Sequence, residues 1–179
     1  MGWKDLFKKK DQDEDLTDLR LDQIKPGYFV DYDLKTWEVK AYNKYDWGSG
    51  EISDEWHLVS SDDAIFLERE VDDEEAWLVT RKISFNKLGA SVRSHILEHE
   101  DPPNEITYEN RTYYLEDSAG GYFHPDGKSD SYELVSWTYE DDSGDRLLGI
   151  EQWGEQDFAA WVGIPAEDYQ FTNILPRQK

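Results

Sequence analysis

The string His95-Ile96-Leu97-Glu98-His99 spells H-x-x-E-H. On a helix this order lets two imidazoles hold one zinc ion, with the carboxylate beside them as general base for a metal-bound water. The helix that would carry it, Ala90 to His99, is only about two and a half turns long and is stopped by Pro102-Pro103. No second helix supplies the third ligand that such a site requires. A solvated helix face is therefore the expected role, and a metal-dependent hydrolase built on His95, Glu98 and His99 is the alternative. The acidic runs Asp72 to Glu75 and Asp141 to Asp145 offer carboxylate oxygens to calcium, but neither has the spacing of an EF-hand loop. Both fall where hairpins must turn, a position that Asp, Ser and Gly favour. His57 and His124 stand apart from any serine motif, and no G-x-S-x-G turn is present to activate a hydroxyl nucleophile. Without cysteine, a thiolate nucleophile, a thiolate metal site and a disulfide are all excluded. No catalytic residue is assigned, and no cofactor is expected.

The 179 residues include 41 Asp and Glu against 19 Lys and Arg, a formal net charge of -22. That field repels phosphate backbones and attracts cations, so nucleic acid is not an expected partner. Solubility or adaptation to salt is the simplest account of the charge. Eight Trp, eleven Tyr and seven Phe argue against disorder, because acidic disordered chains lack the rings from which a core is built. No stretch approaches the roughly 20 apolar residues of a membrane-spanning helix, and the missing cysteines fit a reducing compartment. A soluble, cytoplasmic, bacterial-type protein is expected. Residues 1–22 read as a flexible charged tail, with a basic tip from Gly2 to Lys10 followed by an acidic stretch from Asp11 to Asp22. Were the tip helical, Trp3, Leu6 and Phe7 would share one face, leaving Lys4, Lys8, Lys9 and Lys10 to anionic head groups. Peripheral recruitment to the inner face of the membrane is thus a further alternative.

The elements that must position these side chains are strands. Short β-rich runs separated by turns cover Tyr28 to Tyr32, Thr36 to Tyr45, Glu55 to Ser60, Ala64 to Val71 and Ala76 to Phe85. A second set covers Ile106 to Tyr108, Thr112 to Asp117, Tyr132 to Tyr139, Arg146 to Trp153 and Phe158 to Gly163. The sets read as copies. Tyr32, Trp37 and Val39 match Tyr108, Tyr113 and Leu115 at one constant offset, and Trp56 to Ser60 matches Tyr132 to Ser136 at the same offset. Leu67-Glu68 then matches Ile150-Glu151, Trp77 matches Trp161 and Phe85 matches Phe171, the extra residues falling at turns where they cost little. The expected fold is mainly β, with two repeated antiparallel β-meanders packed as a pseudo-twofold sandwich or barrel and one short bridging helix at Ala90 to His99. Neither half can cover its own apolar face, so residues 23–179 are expected to form a single β domain made of two repeats, about 26–89 and 105–176.

Pro26-Gly27, Val30-Asp31-Tyr32, Trp37-Glu38-Val39, Trp56-His57-Leu58 and Phe66 to Arg69 resemble one half of the bacterial DUF4178 family, a duplicated β domain of unknown function. Leu148 to Glu155 followed by Ala160 to Gly163 resembles its second half. The likeness runs from about Leu19 to Pro176. It implies a setting, since members tend to be encoded beside polyamine-synthase homologues and membrane-stress proteins, and it brings no catalytic residues.

The duplication also sorts the aromatics. Rings matched in both halves are expected to be core. Trp137 and Trp153, matched to Ser61 and Glu70 in this alignment, are not required by the repeat. With Tyr139 on the same strand face as Trp137, and Glu140 and Asp141 flanking it, these residues form the candidate ligand surface. Rings beside carboxylates suit an organic polyamine or other cation, through cation–π contact and ion pairing. The expected function is a non-enzymatic accessory or adaptor module, acting through a protein partner or cation binding in a bacterial membrane-stress or polyamine-linked system.

Overall fold

The computed structural model describes residues 19–126 and 128–177. The first repeat supplies β1 (Phe29–Tyr32), β2 (Lys35–Gly48), β3 (Glu51–Val59), β4 (Ala64–Val71) and β5 (Glu75–Ile83). After one helix, α1 (Ala90–His99), the second supplies β6 (Glu105–Tyr108), β7 (Arg111–His124), β8 (Tyr132–Glu140), β9 (Leu147–Gly154) and β10 (Asp157–Ala166). A last short strand, β11 (Thr172–Leu175), was not expected from the sequence. The mainly β fold, its antiparallel repeats and the bridging helix are as expected. The β1–β2 and β6–β7 hairpins even share one turn: Asp33 and Leu34 have φ of 49° and 61°, and Glu109 and Asn110 have 48° and 61°. Such two-residue turns twist with the flanking strands rather than against them.

The halves do not stack as separate sheets. All described strands join one antiparallel sheet in the order β11-β1-β2-β3-β4-β5-β10-β9-β8-β7-β6, and β2 also pairs with β7. Eight strands, β2 to β5 and β7 to β10, therefore close into a ring that is not an even barrel. One seam is long, running along β5 and β10 from Trp77–Ala166 to Ile83–Ala160. The other is short: Lys44, Tyr45 and Asp46 face His124, Phe123 and Tyr122.

Each repeat has its own apolar core, and each core is covered by chain from the other side of a repeat boundary. The first gathers Trp37, Val39, Trp56, Leu58, Ile65 and Leu67 under Leu21 and Ile24, with Phe171 from beyond β10. The second gathers Tyr113, Trp137, Tyr139, Leu148 and Ile150 under Phe85 and Leu88, which follow β5, and under Val92 and Ile96 of α1. Phe171 stacks on Tyr32 at 4.3 Å, while Phe85 stacks on Phe158 at 5.0 Å. The match of Phe85 with Phe171 thus marks two crossed-over covers.

Strand register corrects two of the sequence matches. Trp56 lies opposite Tyr42 and Leu67, whereas Trp137 lies opposite Ser118 and Ile150, the counterparts of those two residues. Trp56 is therefore equivalent to Trp137, not to Tyr132. The turn between β7 and β8 is longer than the Ser49-Gly50 turn of the first repeat, so the apparent match at constant offset slipped. Likewise Trp77 lies opposite Arg69, and Phe158 opposite Gln152, which makes Phe158 its counterpart in place of Trp161. Chemistry agrees: an arginine lies over each ring, Arg69 at 5.7 Å from Trp77 and Arg93 at 5.0 Å from Phe158.

Candidate ligand cavity

Alternation puts the apolar cores on one face of each ring strand and a different set of side chains on the other. That second face is acidic and aromatic. Asn43 lies opposite Glu55, Glu55 opposite Glu68, and Glu68 opposite Leu78. From the second repeat come Glu151, equivalent to Glu68, and Trp161, which lies opposite Gly149. A cavity of about 370 Å³ opens on this face, and all eight ring strands contribute to it. Its walls include six carboxylates, those of Glu68, Glu70, Glu116, Asp117, Glu140 and Glu151, and the rings of Tyr45, Trp47 and Trp161. No lysine, arginine or histidine lines it.

Two glycines make room for these walls. A Cβ at Gly149 would lie 1.9 Å from the Trp161 ring, and one at Gly121 would lie 2.6 Å from the Asp46 carbonyl and 2.7 Å from the Trp47 ring. Glycine within a strand marks such close approaches. Gly149→Ala is expected to cost at least about 1–3 kcal/mol by overpacking and to move Trp161, measurable as a lower denaturation midpoint with altered tryptophan fluorescence.

Of the inner carboxyl groups Glu55 is buried, while Glu68 and Glu151 are half-buried where they line the cavity. Glu55 accepts hydrogen bonds from Asn43 Nδ2 at 2.7 Å and the Tyr45 hydroxyl at 3.2 Å. Glu68 accepts from Thr80 Oγ1 at 3.3 Å, and Glu151 accepts from Trp153 Nε1 at 3.0 Å. Burial raises the pKa of Glu55, and burial with the charges of Glu55, Glu151 and Glu70 raises that of Glu68 well above the ordinary carboxylate range. Burial, joined by the Glu55 charge, lifts Glu151 to about 7. Burial and the same three carboxylates push the Tyr45 phenol upward. Lys82 supplies the opposing positive field at Glu55 and Glu151, and its ammonium lies 4.8 Å from the Phe66 ring. Carboxylates beside aromatic faces are the groups that pair with and stack against organic cations.

The model of a domain of unknown function, DUF4178, matches residues 25–167 of this chain. The chain belongs to the DUF4178 family. A relative from Aquifex aeolicus (strain VF5), described as an uncharacterized protein, is 26% identical over 176 residues, spanning 97% of this chain and 96% of its own. No solved structure matches.

In this DUF4178 chain the five residues of the expected ligand surface do not come together. Trp137 and Tyr139 are fully buried in the second core, where Trp137 Nε1 donates to Asp101 Oδ1 at 3.1 Å and the Tyr139 hydroxyl donates to the Pro103 carbonyl at 2.8 Å. Neither ring is open to a ligand. Asp141 is buried at the β8–β9 turn, where Arg111 and Ser143 donate to it, the latter at 2.7 Å. Glu140 lines the cavity. Trp153 reaches it indirectly, through its bond to Glu151, and meets Phe123 edge-on at 5.4 Å. Glu68 and Glu151, Trp47 and Trp161 were missed as site residues. One signal pointed to the first two: a carboxylate repeated in both halves, directly after the matched apolar residues Leu67 and Ile150, and such repetition is a demand of the fold or of a ligand.

The outward side of α1 carries the H-x-x-E-H residues. His95 Nδ1 contacts the Asp101 carbonyl at 2.7 Å, the His95 and His99 rings lie 4.5 Å apart, and Glu98 is exposed. Among the described residues no group of three or more His, Asp or Glu is placed to hold a metal ion. Protein purified without chelator is expected to carry less than stoichiometric zinc by elemental analysis, and His95→Ala to leave that content unchanged. Trp3, Leu6 and Phe7 lie outside the described residues. Among the described residues no helix is long and apolar enough to cross a membrane.

Proposed function

We propose that this chain is a non-enzymatic binding module that takes an organic ammonium ion into its ring cavity, as an accessory of a membrane-stress or polyamine-linked system. The observation that supports this is the composition of the walls, six carboxylates and three aromatic rings with no basic side chain. A hydrated metal ion is served by oxygens alone; rings beside carboxylates suit an alkylammonium, whose methylenes lie on aromatic faces while its charge is paired. The setting comes from the family resemblance, and the ligand class comes from the cavity.

Calorimetric titration with spermidine at physiological salt is expected to show saturable binding, weakened at least about tenfold by Glu68→Gln combined with Glu151→Gln. Each lost charge-assisted contact is worth roughly 1.5–3 kcal/mol, and a factor of ten is about 1.4 kcal/mol. Magnesium at equal concentration is expected to compete weakly. A flat spermidine titration with the folded parent chain removes this reading.

A further inference from the structure

We propose that the cavity exchanges protons for its cation: when empty, the inner carboxyl groups of Glu55, Glu68 and Glu151 retain protons, and an entering ammonium ion displaces them into solvent. This rests on the binding reading above and adds its coupling. The geometry is the argument. Glu55 and Glu68 are directly opposed across β3 and β4, and like charges so placed repel. Glu151 lies close enough for its charge to be felt at Glu68, and Glu55's at Glu151. Around them, β2 offers Asn43 and Tyr45, β4 adds Glu70, β5 brings Thr80 and Lys82, β9 places Trp153 beside Glu151, and β10 contributes Trp161. From β7 and β8, Glu116, Asp117 and Glu140 bring only further negative charge to the walls. One lysine cannot balance three carboxylates crowded on one face of the sheet, so the empty site keeps protons in place of counter-ions.

The balance is simple. Each displaced proton passes from a carboxylic acid to buffer, the carboxylate stays on the protein, and the positive charge of the ligand replaces that of the proton. No bond to the ligand forms. Affinity should therefore fall as pH falls below neutrality, by up to about tenfold per unit for each proton displaced.

Two measurements on the full chain test this. In cation-free protein carrying ¹³C-labelled glutamate, NMR titration is expected to show at least one of the three carboxyls, Glu151 among them, titrating near neutral pH. Spermidine calorimetry at pH 7 in buffers of different ionisation enthalpy, such as phosphate and Tris, is expected to show net release of about 0.5–2 protons per ligand. The release should fall in the near-isosteric variant Glu151→Gln. Saturable binding whose heat is independent of buffer overturns the exchange and leaves the binding reading standing. All three groups titrating below about pH 5 also overturns it. Absence of binding in every buffer overturns both.

Discussion

Trp137→Ala is expected to destabilise the protein by about 3–5 kcal/mol, the range for removing a buried aromatic ring from a packed core. The ring is 2% exposed and fills the second core as Trp56 fills the first. Both indoles also fasten a cover to the sheet: Trp56 Nε1 donates to the Ile24 carbonyl at 2.9 Å, and Trp137 Nε1 to Asp101 at 3.1 Å. Truncation thus opens a cavity and leaves Asp101 without a donor. Urea denaturation measures it directly, as a shift in midpoint at unchanged slope. Spermidine affinity of the fraction that remains folded should be close to that of the parent chain, because the ring lies on the face turned away from the cavity. A variant as stable as the parent would show that Trp137 is not a core residue.

Stability is expected to peak near pH 5 and to decline through neutrality, a direction opposite to that set by ordinary surface carboxylates. The sign follows from the inner carboxyls. A carboxyl group whose folded pKa is raised contributes stability that is fully present below its unfolded pKa and lost as pH rises through the folded one. For Glu151, lifted from 4.5 to about 7, the loss spans the window between those values and amounts to roughly 3 kcal/mol once it is ionised. Glu55 and Glu68 shift in the same direction and add to the decline. On the acid side, Asp31, Asp62, Asp63 and Asp141 have lowered pKa values from hydrogen bonds with Thr36, Lys35, Arg81 and Ser143 respectively. Their contribution disappears as pH falls through those lowered values, and exposed pairs among them count for little. Thermal unfolding from pH 4 to 9 should show the decline, and Glu151→Gln should flatten its neutral part. A Tm that rises steadily from pH 5 to 8 would sink the argument.

How far the sequence disclosed this molecule varies by element. The helix from Ala90 to His99 and the strand from Ala64 to Val71 were legible to the residue, since a double proline ends the first and acidic turns bracket the second. The far half of β7 was not. Ser118-Ala119-Gly120-Gly121 reads as a loop, because glycine ordinarily weakens a strand, but Gly121 is the place where the Trp47 ring and the Asp46 carbonyl pass over the backbone. That reason belongs to tertiary structure and leaves no trace in local pattern. The ligand surface failed for a related cause. A longer turn before β8 shifted the repeat match and disguised Trp137, the partner of Trp56, as a surplus ring. The carboxylates of the cavity sit at ordinary alternating positions in a chain rich in Asp and Glu, so only ring closure distinguishes the inner ones from the solvated ones.

The crossed-over covers have a consequence for synthesis on the ribosome, where residues emerge at about 5–20 per second. The wall that completes the first repeat includes Ala166, Phe171 and Ile174, made after nearly all of the second repeat's strands, so its core has only the Leu21 and Ile24 side of its cover while they are translated. The second repeat has the reverse history: Phe85, Leu88, Val92 and Ile96 are already outside the exit tunnel when its strands appear. The half encoded later is the one equipped to mature first.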